Sequence, residues 1–351
     1  MTAVRRFRLL ALLVATLVAV AACGGAPAPT SAPAAPAAPV TPEWQKVIDA
    51  AKAEGSVTIY SSQGADQLKD LAQRFQQAYG IRVDVLRDID ANLEAKVDAE
   101  HGSAQKFADV AAFADGAYVA AKGQQKWWTP PTGPDFTTPA YDKGYLKPDG
   151  SFVTTAAIFV PAWNTQTVPG GITGYQDLLK PELVGKIGVN DPATSPAVVD
   201  FYKYLTQLNG PTFVDQLAAQ KPQIFASVLP MGQALISGQI SVQLGGSAPT
   251  TQKEQGAPVD FLVPKPAWGA AFRTVVVGGS PHPNAAQLLA NYMVTPEGQT
   301  ALARDAGSVL KDIPGALTTV ADVRVFDPAS LSAADVTQFR ALFRTKFQGG
   351  A

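Results

Sequence analysis

The sequence predicts an α/β protein of two lobes with a cleft between them, and three observations carry that expectation. Short β-type runs alternate with helix-period stretches from residue 43 to 125. The alternation resumes from 174 to 246, so a second sheet-and-helix series follows the first. Two long β-type stretches, 152–164 and 259–277, stand where a chain would cross between such units. The chain has 351 residues, more than a single core usually organises.

In the first series, Trp44, Val47, Ile48 and Ala51 recur at helical spacing and Gly55 is placed to stop the helix. A strand follows at 57–60. The next helix shows the apolar face Leu68, Leu71, Ala72, Phe75 and Tyr79, and Gly80 ends it. Ile81, Val83 and Val85 alternate with neighbours that predict a second strand. Residues 107–115 form a third, and 116–125 a helix. The stretch 126–150 is rich in Pro, Gly and aromatics and is expected to be irregular. The second series gives helices at 174–181, 195–210 and 231–239, with strands at 186–191, 223–227 and 241–246. Helices at 283–293, 295–307 and 331–347 close the chain, the last capped by Ser332. There is no internal repeat.

The N-terminus carries a targeting segment. Arg5, Arg6 and Arg8 precede "LLALLVATLVAVAA", short for a membrane span but suited to a signal h-region. It runs into "VAAC", which resembles the bacterial lipobox, whose cysteine is acylated and becomes the new N-terminus. Cys23 is the only cysteine of the chain, so no partner for a disulfide exists within it. The following "GGAPAPTSAPAAPAAPVTP" has no charge and almost no large apolar group and cannot fold alone. As polyproline-like chain it reaches roughly 60 Å. Residues 1–22 are therefore expected to be a lipoprotein signal peptide and 23–42 a lipid-anchored linker. Such a protein sits on the extracytoplasmic face of the cell membrane, held by its lipid alone.

With 28 basic and 29 acidic residues, net charge is −1. No clustered basic face points to nucleic acid. Enzyme chemistry finds few handles. His101 and His282 are the only histidines, and neither G-x-S-x-G nor H-E-x-x-H occurs. Hydrolysis by a carboxylate pair stays open. Glu100 beside His101 reads as a solvated helix end rather than a metal site, Tyr60 and Phe201 as core, and Trp127 and Trp128 as packing between the lobes. No cofactor or metal is expected.

Several strand ends run into helices through small polar residues, which suits oxygen-rich ligands at helix N-termini. Ser61, Ser62 and Gln63 form the first such loop, and Ala114, Asp115 and Gly116 a neighbouring one. Asp191, Ala193, Thr194 and Ser195 repeat the theme, Gly246 and Ser247 end another strand, and Trp163 and Asn164 follow the first crossing. Convergent polar groups of this kind are what a small-molecule pocket needs.

The phrases "AAKAEGSVTIYSS", "DLLKPELVGKIGVNDPATS", "ALISGQISVQLG" and "GSPHPNAAQLLANYMVTPEGQ", in that order, resemble the type II extracellular solute-binding proteins of ABC importers. The nearest branch holds the ferric-iron, thiamine, polyamine and phosphonate binders. The resemblance spans residues 43–347. It implies a two-lobed periplasmic-binding-protein-like type II fold with a hinge and a central ligand cleft. Lobe one would comprise 43–155 and 265–351, and lobe two 156–264. It also implies a monomer that captures a small polar or anionic solute and delivers it to a permease and its ATPase. Ferric-iron members carry adjacent tyrosines after the strand that here ends in "QLGGS". This chain has Ala248 and Pro249 there, which weakens the iron reading. A secreted lipoprotein hydrolase and a ligand sensor are the readings of other classes.

Overall fold

The computed structural model describes residues 40–103 and 105–349. The signal segment, Cys23 and all but the last residues of the linker lie outside them. Helix α1 (Pro42–Glu54) starts where the Thr41 hydroxyl accepts the Trp44 amide, and it stops at Gly55, whose φ of 76° suits glycine. Then come β1 (Ser56–Ser61), α2 (Ala65–Tyr79), β2 (Arg82–Arg87), α3 (Asp90–His101), β3 (Val110–Phe113), α4 (Gly116–Gln124) and the short β4 (Trp128–Thr129). Strands β2, β1 and β3 run parallel. Helix α2 seats fully buried Leu68, Leu71 and Phe75 on them, the spacing a helix needs to present one face.

Strand β5 (Phe152–Asn164) is the first crossing. Beyond it lie β6 (Ile187–Asn190), α5 (Pro196–Asn209), α6 (Phe213–Ala219), β7 (Gln223–Phe225), α7 (Val228–Ile236), β8 (Val242–Gly246), α8 (Thr250–Glu254) and β9 (Val259–Phe261). The return crossing is β10 (Ala267–Val277). Helices α9 (Pro283–Tyr292) and α10 (Pro296–Leu302), the short β11 (Gly307–Ser308), β12 (Thr318–Thr319) and β13 (Val323–Val325), and α11 (Ala333–Phe347) complete the chain.

The strand order is β2-β1-β3-β10-β5-β8-β6-β7. Strand β10 is antiparallel to β3 and β5, and β5 is antiparallel to β8, which runs parallel to β6. Strand β3 therefore points the same way as β5, toward lobe two, while β6 and β8 point back toward lobe one. The carboxyl ends of both parallel sets face each other along the crossing. The last residue of β3, Phe113, is level with Arg273 and so with Val153, whereas Gly246 is level with Val160. Seven residues of strand separate the two edges, roughly 20 Å. The β5 register slips between Val160 and Ala162, around Pro161, as the strand leaves one sheet for the other. Proline cannot donate to a ladder, so the break falls where pairing changes partner.

Each lobe has its own core. One gathers Ile59, Leu71, Phe75, Phe152, Leu288 and Leu302, the other Leu178, Val189, Phe201, Phe213 and Leu244. Tyr60 and Phe201 are buried as expected.

Some elements differ from expectation. Residues 174–181 form no α-helix but two short 3₁₀ turns, Tyr175–Leu179 and Pro181–Leu183. Lys180, ahead of Pro181, is forced into extended geometry at ψ 139°. Trp127 and Trp128 do not pack between lobes. Trp128 is in a lobe-one core with Tyr60 and Phe113 and donates to Val119 O, while Trp127 stacks on His101 at 3.6 Å. The division that gave 265–351 to lobe one also meets a difference. Helix α11 packs on α5 and α6, with Phe339, Phe343 and Phe347 around Tyr202 of lobe two.

Candidate functional site

The loop after β1 divides into residues that hold it and one, Ser62, whose hydroxyl is left without a partner among the described residues. Ser61 is wholly buried; its hydroxyl accepts the Gln63 amide and donates to Gln63 Oε1, both at 3.1 Å. Gln63 is buried too and donates to Thr155 Oγ1 of β5 at 2.8 Å. These two tie the loop to the crossing strand. Ser62 is half-buried, its hydroxyl beside the Asp90 carboxyl.

Asp90 opens α3 and clamps the loop after β3, accepting from the Ala114 and Asp115 amides at 3.1 and 2.9 Å. Asp115 caps α4, taking the Ala117 and Tyr118 amides. One turn along α3, Glu94 Oε1 is buried without a hydrogen-bond partner among the described residues. Burial raises the Asp90 carboxyl above its ordinary range, against the pull of its own hydrogen bonds. Burial and the charges of Asp115, Asp90 and Asp98 push Glu94 up to about 7. The lobe-one edge is thus acceptor-rich and crowded with negative charge.

On the opposite edge Ser195 caps α5 through the Ala197 amide. Asp191 Oδ1 accepts from Ala193 N at 2.8 Å, and the exposed Thr194 hydroxyl donates to Asp191 O. The loop is held from behind by Tyr202, donating to Asn190 O at 2.8 Å, and by Arg340 of α11, donating to Pro192 O at 2.9 Å. Asn190 is 5% exposed, and its Oδ1 has no partner among the described residues. Gly246 lies against the buried Gln243 side chain: a Cβ there would be 2.6 Å from Gln243 Nε2, so that amide would have to shift. Ser247 is exposed, and its carbonyl accepts from Gln243.

Ser62, Asp115, Thr194, Ser195, Gly246 and Ser247 therefore lie at the two facing strand edges. Trp163 and Asn164 do not. Trp163 is paired with Val242, at the start of β8 and about 13 Å of strand from Gly246. Its ring belongs to the lobe-two core, and Asn164 is spent on Leu235 O at 3.0 Å. Strand register moves both to the far end of the lobe. Sequence reasoning missed Asp90, Glu94 and Asn190. For the first two, the acids opening "RDIDANLE" are a helix-start signal; Asn190, inside a buried strand, gave none.

The iron-type positions are filled differently here. Ala248 and Pro249 are both buried. Glu100, expected as a solvated helix end, is instead buried, engaged by Tyr60 Oη at 2.7 Å and by the Phe107 and Ala108 amides, so it is a fold residue. Two cavities lie by the crossings. One of about 280 Å³ is lined by Ala114, Gly116, Ala270, Arg273 and Phe326. A larger one, about 740 Å³, lies among residues 263–266 and 310–324 and touches none of the expected site residues. Size alone gives it no claim to the ligand, and the facing loops keep precedence.

Among solved structures, the iron-bound HitA of Pseudomonas aeruginosa is similar, with TM-score 0.63 and 21% identity over 82% of this chain and 98% of that one. AfuA of Actinobacillus pleuropneumoniae, with fructose-6-phosphate bound, has TM-score 0.59 and 21% identity, covering 84% and 99%. A two-component system protein described as mediating signal transduction has TM-score 0.60 and 18% identity, covering 82% and 99%. At these identities the likeness establishes the two-lobed type II fold. No curated protein matches the chain by sequence. The sequence model for the bacterial extracellular solute-binding proteins matches residues 57–307, most of the folded chain, and the protein belongs to that family.

Proposed function

We propose that the protein is the substrate-binding lipoprotein of an ABC import system. In this reading a monomer, anchored through Cys23 on the extracytoplasmic face, takes a small polar or anionic solute between its lobes and passes it to a permease and ATPase. The observation that carries the reading is the facing of two parallel strand edges, each ending in capped helix starts, across a crossing strand with a bulge at Pro161. Open α/β sheets bind ligands at such carboxyl edges, and a bulged crossing is where two lobes can hinge. An anionic group of the solute belongs at the lobe-two helix start. Its N–H or O–H donors belong near Ser62, Asp90 and Glu94, where like charge disfavours an anion.

Iron-bound HitA keeps a ferric reading in view, but phenolate ligation has no tyrosine at Ala248 or Pro249. Sensing is the second reading, favoured by the likeness to the signal-transduction protein. Native mass spectrometry of protein purified without refolding tests the proposal. A retained small solute of defined mass supports it, and release of that solute at a Thr194→Ala, Ser195→Ala variant places it at the lobe-two loop. A protein that binds no solute from a polar metabolite mixture, with its fold intact, would argue against it.

A further inference from the structure

The lobes are joined by more than their crossings. Helix α10 packs on α2 and β5, and Ala301 and Leu302 lie in the lobe-one core. Arg304 and Asp305 follow the capping Ala303. Helix α8 leaves β8 and packs on β9, in lobe two. Between them Arg304 Nη2 pairs with Glu254 Oε2 at 2.5 Å, beside Thr250 Oγ1 and Asp305 Oδ1, which are buried and make no hydrogen bond among the described residues. Asp305 holds a φ of 61°, a left-handed conformation that a non-glycine residue adopts at some cost. The chain of bonds continues inward. Gln67 Nε2 donates to Arg304 O at 2.5 Å, and Gln67 Oε1 accepts the Gly64 amide at 2.9 Å. Gly64 ends the Ser61–Gln63 loop, so one bonded path runs from the lobe-two helix α8 to the lobe-one edge of the cleft.

We propose that Glu254 on α8 and Arg304 after α10 form a latch that holds the lobes together and couples closure to the β1–α2 loop. The proposal rests on the binding-protein reading for its purpose, though not for its test, which needs no ligand. An exposed ion pair contributes little to global stability. Two lobe arrangements of similar free energy are another matter, because a small differential interaction shifts their populations several-fold. The latch is thus set to act on the open-to-closed ratio without governing folding. Its position also gives the signal a direction. A ligand that settles the 61–64 loop fixes Gln67, Gln67 fixes the Arg304 backbone, and Arg304 is then presented to Glu254.

Hydrogen exchange on the full chain, read by mass spectrometry, tests this. Glu254→Gln and Arg304→Gln should each speed exchange about threefold to fivefold in peptides covering both 62–67 and 248–256. Thermal unfolding should stay near wild type. The charge swap, Glu254→Arg with Arg304→Glu, should restore most of the protection at both segments. Lys253→Gln serves as control, because Lys253 pairs with Asp260 inside lobe two; it should leave 62–67 unchanged. A swap that restores nothing overturns the latch. So does faster exchange confined to 248–256, which would make the pair a local support of α8. Either failure leaves the solute-binding reading untouched, since that reading is decided by what the cleft retains.

Discussion

The indole N–H of Trp268 donates to the carboxylate of Asp200 at 2.8 Å, both side chains being buried. Trp268 is the second residue of β10 and Asp200 lies on α5, so the return crossing is fastened to lobe two where it sets out for lobe one. Arg324 of β13 closes on the same carboxylate with both terminal nitrogens, at 2.5 and 3.0 Å. One acid therefore holds two strands at the hinge side of lobe two.

Asp200→Ala should lower unfolding free energy by about 3 kcal/mol, because it strands a buried indole donor and a partly buried guanidinium. Asp200→Asn keeps an oxygen for Trp268 and loses the charge for Arg324, so roughly half that loss is expected. Urea unfolding followed by tryptophan fluorescence would show the order. Equal losses for both variants would mean that the Trp268 bond contributes little.

Glu94 sets a pH dependence of stability. Its folded value of about 7 lies above the ordinary 4.5, so the folded protein holds this proton more tightly than the unfolded chain. The stability from it is complete below about pH 4.5 and is lost as pH rises toward 7. Glu94→Gln removes the ionisation while keeping the shape. The variant should exceed wild type by about 1 kcal/mol at pH 8, after allowance for solvent screening, and match it near pH 4. Melting curves at the two pH values decide it; a variant weaker at pH 8 would show that the Glu94 charge is stabilised by its surroundings.

The alternation of elements was legible because buried parallel strands and amphipathic helices leave different periods in the chain, as Leu68, Leu71 and Phe75 show on α2. The crossings were legible as apolar runs too long for ordinary strands. Site residues were read less well, for a reason of geometry. A strand end and a strand start look alike in sequence, and only the β5–β8 register reveals that Trp163 and Asn164 are at the wrong end. Ser61 and Gln63 carry ligand-like chemistry but are consumed by each other and by Thr155. The short α8, central to the contact between lobes, has five residues and too few turns to leave a period.

Cys23→Ala should abolish lipid processing while leaving the fold intact. The motive is the cysteine at the end of "VAAC" and the Ala/Pro-rich stretch after it. In cells, the variant should stay unprocessed or be released, and move from the detergent phase to the aqueous phase on partitioning. Wild-type maturation should be sensitive to globomycin. A variant that still partitions as a mature lipoprotein would remove Cys23 from that role.

Ser62 is the sharpest test of the lobe-one edge, because its neighbours separate folding from binding. Ser61→Ala breaks two bonds inside the loop and should cost about 1–2 kcal/mol of stability. Ser62→Ala removes a buried hydroxyl beside Asp90 that makes no hydrogen bond among the described residues and no backbone support, so unfolding should change by less than about 0.5 kcal/mol. Its effect should fall on the solute. One hydrogen bond assisted by the Asp90 charge is worth about 1.5–3 kcal/mol, so affinity should fall at least tenfold. Titration calorimetry with the solute identified by mass spectrometry measures this directly. If Ser62→Ala binds like wild type while Ser61→Ala melts early, the whole loop is a structural cap, and the ligand is held by the Asp191–Ser195 side alone.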